Sequence, residues 1–368
     1  MQRDEFLRLA GSTVAVCAVT SRMPDLKKFS NAKMVGSESS ADSSRHAYLE
    51  TLEFDRQLEA SDVGMRTLEQ LDAAVTRFGV DYLQTPLARA FEDARAMRRY
   101  VVGLLSGKHT LRQRGQLYSI AGWLCALIGH VAFDMGEELG VVDAHSNAAL
   151  HLADEVAHGE LAAWVRGTQA LAATYRGQPR AAVEFAQAGR MAAPTGSITA
   201  VRLFAQEARA YARLRDRRSA ERCLAAAERS FDGVTAPPTT SIFSFDRPYL
   251  PFYAGTCYVW LRQPQRAEAY SREAIDLCDR AAADWPVARV LARADVADVL
   301  IQGKEPEGAV QLINESLMIC ADGRKTDPMR ERLHGLIRNL KARFDASAVG
   351  DLEEQFRSVF AEQSPGIS

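Results

Sequence analysis

Strand signals are nearly absent from this sequence. No stretch sustains an alternation of apolar and polar residues, and no Asn-Gly or Asp-Gly pair joins two such stretches into a hairpin. Sandwiches and barrels are therefore excluded. Surplus charge is absent too. The formal net charge is −2 over 368 residues, so there is no overall basic footprint for nucleic acid, and any DNA contact would be local or come through another chain. No apolar run reaches the length expected of a membrane span. The six cysteines (Cys17, Cys125, Cys223, Cys257, Cys278 and Cys320) include no Cys-x-x-Cys pair. Each sits among apolar residues in a helical pattern, where a free thiol behaves as a small hydrophobe, so a reduced, cytoplasmic compartment is expected. Gly-x-Gly-x-x-Gly, Gly-Lys-Ser/Thr and Gly-x-Ser-x-Gly are all missing, which removes the familiar phosphate-cradling and nucleophile-bearing turns. No cofactor is expected, and the sequence leans away from an enzyme.

What is present is an ordinary globular balance, 47% apolar and 25% charged residues, arranged with helical periodicity from about His46 almost to the end. The apolar run Leu9 to Val19 follows Arg3, Asp4, Glu5 and Arg8. A secretory leader is basic, and this one is half acidic, so it is not expected to direct export. Residues 21–45 are rich in Ser, Lys and Asp, too polar to bury a core, and read as a linker.

Internal repetition decides the expected fold. Small residues recur early in the second helix of successive helical hairpins, at Ala182, Ala220, Ala267 and Ala309, spaced by 38, 47 and 42 residues. A small residue is needed where two helices cross, because bulk there holds the backbones apart. The turns carry Gly177-Gln178-Pro179, Gln263-Pro264 and Gly303 to Pro306, and a weaker unit spans about 120–156 with Ala149 in its second helix. This pattern predicts an all-α protein, a tetratricopeptide-like right-handed superhelix of antiparallel helical hairpins. The expected organisation is an N-terminal segment and linker over 1–45, a helical cap over 46–118, repeats over 119–326, and closing helices and tail over 327–368. Both ends of such a stack need capping.

Three stretches carry a family resemblance: Ala121-Gly122-Trp123-Leu124, Glu160-Leu161-Ala162-Ala163-Trp164, and Tyr175-Arg176-Gly177-Gln178-Pro179-Arg180-Ala181-Ala182. With Phe245-Asp246, Leu261-Arg262-Gln263-Pro264 and the opening Gln2 to Gly11, they resemble a family of actinobacterial transcriptional regulators. In that family a helix-turn-helix DNA-binding domain precedes a tetratricopeptide-repeat sensor domain. The likeness covers nearly the whole chain from the linker onward. No helix-turn-helix pattern precedes residue 46, so the resemblance implies the sensor half without the DNA-binding domain, and a cytoplasmic regulatory role.

The concave face of such a stack is lined by the first helix of each unit, which places the candidate site. Arg202, Gln206, Arg209 and Arg213 fall at i, i+4, i+7 and i+11, one stripe of a helix. The next unit contributes Tyr249, Phe252, Tyr253, Thr256 and Trp260, and the one after it Asp295 and Asp298. Guanidinium groups beside aromatic rings suit a ligand with an acidic group and an apolar body. The competing reading is a solvated Arg face with aromatics packed between units. Phe243 to Phe252, which includes Phe245 and Asp246, is either a binding lid or a hydrophobic plug; four aromatics are costly to leave in water, which favours the plug. His145, His151 and His158, with Asp154 and Glu155, lack the tight His-Glu-x-x-His spacing, so no metal is expected.

The expected function is a regulatory sensor linked to transcription, binding a peptide, a small acidic signal or a protein partner in an elongated open groove, with no membrane contact and compatible with a homodimer. A passive adaptor would instead show a broad exposed apolar patch. An enzyme built on the same scaffold would show an enclosed pocket with converging polar groups and displaced pKa values.

Overall fold

A computed structural model describes residues 61–234, 240–280, 285–344 and 347–361, together with Glu50, Thr51 and Phe54. The chain divides into two compact units, Met1–Glu59 and Ala60–Ser368. The Leu9 to Val19 run, the 21–45 linker and the boundary at 45/46 lie outside the described residues. The second unit is all-helical, with fourteen helices among its described residues. These are α1 (Met65–Asp81), α2 (Leu87–Leu104), α3 (Leu111–Met135), α4 (Leu139–Glu155), α5 (Gly159–Tyr175), α6 (Pro179–Ala192) and α7 (Ile198–Arg213). They continue as α8 (Arg217–Asp232), α9 (Tyr249–Trp260), α10 (Pro264–Arg280), α11 (Pro286–Gly303), α12 (Pro306–Asp322), α13 (Asp327–Arg343) and α14 (Ser347–Phe360).

From α3 onward the helices pack as successive hairpins, α3 with α4, α5 with α6, α7 with α8, α9 with α10 and α11 with α12. One local device makes most of the turns. Gly177, Arg215, Arg262 and Lys304 adopt left-handed φ values of 58–73°. The next residue's amide then bonds back to a carbonyl five residues earlier: Gln178 to Ala173, Asp216 to Tyr211, Gln263 to Tyr258 and Glu305 to Leu300, each at 2.9–3.0 Å. This is the Schellman closure of a helix C-terminus. Pro179, Pro264 and Pro306 follow as first residues of the next helix, where a missing N–H costs nothing. Four residues after each of these back-bonding residues come Ala182, Ala220, Ala267 and Ala309, all fully buried. The small-residue register read from the sequence thus marks real helix crossings. At Gly255 the approach is closest, since a Cβ there would collide with the hydroxyl of Ser271 on α10 and lie 3.1 Å from its backbone nitrogen.

The two helices of a hairpin differ in kind. α6, α8 and α10 bury one narrow stripe of small residues, such as Ala267, Ser271, Ala274 and Cys278 on α10. α5, α7, α9 and α11 are buried almost all round. They form an inner row, α5 against α7, α7 against α9, α9 against α11 and α11 against α13, and α13 returns to touch α3. The five described cysteines are buried, in the small-hydrophobe role expected of them.

α3 requires a correction. Over its 25 residues it is long and apolar enough, by length and composition, to cross a membrane. Its glycines and His130 break the run visually without lowering its mean hydropathy enough. A helix apolar all round is covered either by lipid or by protein. Here 72% of its most apolar window is covered within the structure, by α1, α2, α4, α5 and α13.

Candidate functional site

The wide 47-residue spacing between Ala220 and Ala267 is explained by the segment between α8 and α9. Its described part reaches α1. Ile242 N–H donates to Gly79 O at 2.9 Å. Phe243 lies against Gly79, where a Cβ would sit 2.5 Å from its ring, and packs edge-on to Trp123 and Trp164 with centroids 4.9 and 5.3 Å away. Ser241, Ile242, Ser244 and Phe245 face a cavity of about 100 Å3. Of the four aromatics read together in the sequence, Tyr249 and Phe252 lie on α9, and Phe243 and Phe245 lie in the segment before it. Phe243 packs as a plug against Gly79, Trp123 and Trp164, and Phe245 forms part of the cavity wall.

The inner helices supply the other walls: His130, Phe133 and Asp134 from α3, Leu171 and Tyr175 from α5, Arg202 and Arg209 from α7, Tyr249, Phe252 and Tyr253 from α9, and Leu291 from α11. Tyr82, just after α1, and Arg324, in the turn between α12 and α13, complete the ring. Of the residues singled out in the sequence, Arg202, Arg209, Phe245, Tyr249, Phe252 and Tyr253 come together here. Gln206 is fully buried beside them and donates to Tyr253 Oη at 3.1 Å. Arg213 is exposed, its guanidinium 4.4 Å from the Trp260 ring centroid, beyond the cavity. Thr256, Asp295 and Asp298 belong to an internal ion cluster: Thr256 Oγ1 donates to Asp295 at 2.5 Å, and Arg332 Nη2 lies 2.9 Å from both aspartates. Asp246 accepts from Trp285 Nε1 at 2.7 Å.

The histidines are scattered. His145 contacts Arg98 at 3.0 Å, and His151 is exposed. His158 is the N-cap of α5, its Nδ1 accepting from Leu161 N–H at 3.2 Å. The preceding turn is made by Ala157 in the left-handed region.

The sequence reading missed Tyr82, His130, Asp134 and Arg324. His130 and Asp134 did leave a signal, as ionisable residues at i, i+4 in an otherwise apolar stretch of α3. Arg324, in a Gly-Arg-Lys turn, left none.

The electrostatics of the cavity are lopsided. Arg202, Arg209 and Arg324 line it, against the single carboxylate of Asp134. Arg202 lies over the Trp164 ring at 4.8 Å and donates to Trp164 O and Thr168 Oγ1, each at 3.2 Å. Arg209 is 2% exposed, sits 4.7–5.4 Å from the ring centroids of Tyr175, Tyr253 and Trp260, and donates to Tyr175 Oη at 3.3 Å. Arg324 lies 3.8 Å from the Tyr82 ring centroid and donates to Thr85 O at 2.7 Å. The Nε of Arg209 and the Nε and Nη1 of Arg324 are buried without a hydrogen-bond partner. Burial works against the charge on Arg209, and the phenols of Tyr175 and Tyr253 hold it cationic. Burial also holds His130 well below its usual range, reinforced by Arg202 and Arg324, so it is neutral.

Asp134 accepts from Tyr82 Oη, and burial pushes its carboxyl up to about 6 against the opposing pull of that bond and of Arg324 and Arg202. A carboxyl raised on folding binds more protons in the native state than in the unfolded chain. Its contribution to stability is thus present at low pH and lost as pH rises from about 4 through about 6. Asp134→Asn removes this titration. The variant is expected to gain on the parent as pH rises across that window, by on the order of 3 kcal/mol at most. Urea melts of the two near pH 4 and pH 7 check this, and a difference that does not change with pH would refute the assignment.

No family model matches the chain, and no curated protein matches it either.

Proposed function

We propose that this chain is a ligand-binding helical-repeat protein, a tetratricopeptide-like superhelix whose cavity takes a small acidic molecule, and that it serves as the sensor of a transcription-linked regulatory system. The regulatory part rests on the resemblance of the 119–195 region to the sensor domains described above. The binding part rests on one observation: three guanidinium groups, of Arg202, Arg209 and Arg324, line a cavity whose single carboxylate is Asp134. Burying an unpaired charge costs several kcal/mol, and the aromatic faces return only about 2 kcal/mol for each desolvated cation. An anion in the cavity offsets the excess positive charge through charge-assisted hydrogen bonds. A space of about 100 Å3 is smaller than the roughly 300–1,000 Å3 pockets of drug-sized ligands, which favours a small metabolite over a peptide.

Thermal denaturation of the full chain against small carboxylates, phosphate and the matching neutral amides tests this. Acids are expected to raise Tm and amides not to, because a ligand that binds only the native state stabilises it. Arg209→Gln, verified as folded by circular dichroism, is expected to abolish the response. If no acid shifts Tm, or if Arg209→Gln responds like the parent, the reading fails. An enzyme on the same scaffold is favoured by a different observation, the raised carboxyl of Asp134 beside Tyr82 and His130. Conversion of a bound acid, followed by NMR and lost in Asp134→Asn, would put that reading first.

A further inference from the structure

The cavity has two cationic ends. Arg209 touches Tyr175, Tyr253 and Trp260, on α5 and α9. Arg324 touches Tyr82 and Thr85, around the turn between α1 and α2, and acts on Asp134 and His130. The two sets of neighbours share no residue. Arg202, on Trp164 and Thr168, shares none of these contacts. The lining also holds the apolar Leu171, Ile242, Phe245, Phe252 and Leu291.

The charge count follows. The three arginines and the ionised Asp134 leave the lining two positive charges in excess near neutral pH. None of the three arginines has a carboxylate within ion-pair distance among the described residues. A monoanion would satisfy one end and leave the other buried and unpaired, at the full desolvation cost of that group. Because the two ends share no contacting residue, a ligand that meets the contacts of both carries a charge at each.

We infer that the ligand is a short dicarboxylate, one carboxylate at Arg209 and the other at Arg324, with its methylene chain along the Phe245, Phe252 and Leu291 wall. This rests on the acidic-ligand reading and narrows it. It also gives the ligand a mechanical role. Arg324 comes from the last hairpin turn and bonds across 239 residues to Thr85, so a molecule held at both ends ties the beginning of the stack to its end.

Isothermal titration of the full chain at constant ionic strength decides the matter, with succinate, glutarate, adipate, butyrate and inorganic phosphate as probes. At least one dicarboxylate is expected to bind about 10–100-fold tighter than butyrate or phosphate, the margin of one additional charge-assisted hydrogen-bonded end. Arg324→Gln is expected to shrink the dicarboxylate-over-butyrate margin to within about threefold, and Arg209→Gln to weaken both classes. Arg324→Lys keeps the charge but not the fork, and is expected to restore part of the margin. Butyrate or phosphate binding as tightly as every dicarboxylate, or a dicarboxylate affinity indifferent to Arg324→Gln, would overturn this inference and leave the acidic-ligand reading standing. Absence of binding by every probe would remove both.

Discussion

Trp164→Ala is expected to cost about 3–5 kcal/mol, the range for emptying a large buried aromatic site. Trp164 is fully buried on α5, at the junction of three structural features. Its ring centroid lies 6.0 Å from Trp123, 5.5 Å from His130 and 5.3 Å from Phe243. Arg202 rests on its face. Truncation therefore empties the space between α3 and α5, removes the surface on which the loop segment docks, and strips Arg202 of a cation–π partner worth up to about 2 kcal/mol when desolvated. Trp164→Phe is expected to cost less than half as much, because the indole Nε1 has no partner to lose. Urea denaturation is the measurement. A drop in midpoint with unchanged slope signals lost stability rather than a changed denatured state. A loss below about 1 kcal/mol would mean that the loop segment and inner row are not packed as described.

Arg332→Met is expected to be comparably damaging for an electrostatic reason. The guanidinium lies 2.9 Å from both Asp295 and Asp298, and Asp295 is 3% exposed. Removing one partner from a buried pair leaves an uncompensated charge and costs about 3–5 kcal/mol. Burial already raises the Asp295 carboxyl despite the opposing pull of Arg332. Without the arginine it rises further, so the native variant binds a proton that the unfolded chain releases. The defect is therefore expected to be largest near neutral pH and to shrink as pH falls through that raised value. The double change Arg332→Met with Asp295→Asn is expected to recover part of the loss, which a double-mutant cycle reads as coupling between contacting residues. A defect equal at all pH values, or no coupling, would show that the cluster contributes nothing.

The residues of the site differ in how far they could be read in advance. Arg202, Gln206 and Arg209 were legible because helical spacing is local: positions four and seven apart share a face. Which face turns inward followed from the small-residue register at Ala182, Ala220 and Ala267. The same reasoning carried Arg213 along, although a final helical turn outlasts the cavity wall and leaves it exposed. Asp295 and Asp298 were read as groove residues, but Arg332, arriving from α13, ties them into an internal ion cluster.

The sequence by itself determined the helices, their pairing into hairpins and the inward stripe of α7. Each of these depends on contacts within about one hairpin, through periodicity, turn chemistry and small residues at crossings. The docking of the loop segment and the charge balance of the cavity were decided only by the tertiary structure. Tyr82, Asp134, Ile242, Phe243 and Arg324 lie far apart in the chain, and no local pattern encodes which of them will meet. The closure of the inner row by α13 against α3 brings Arg324 to Tyr82. The described part of the segment between α8 and α9 adds Ser241, Ile242, Ser244 and Phe245 to the cavity wall, beside guanidinium groups whose burial without a counter-charge is costly.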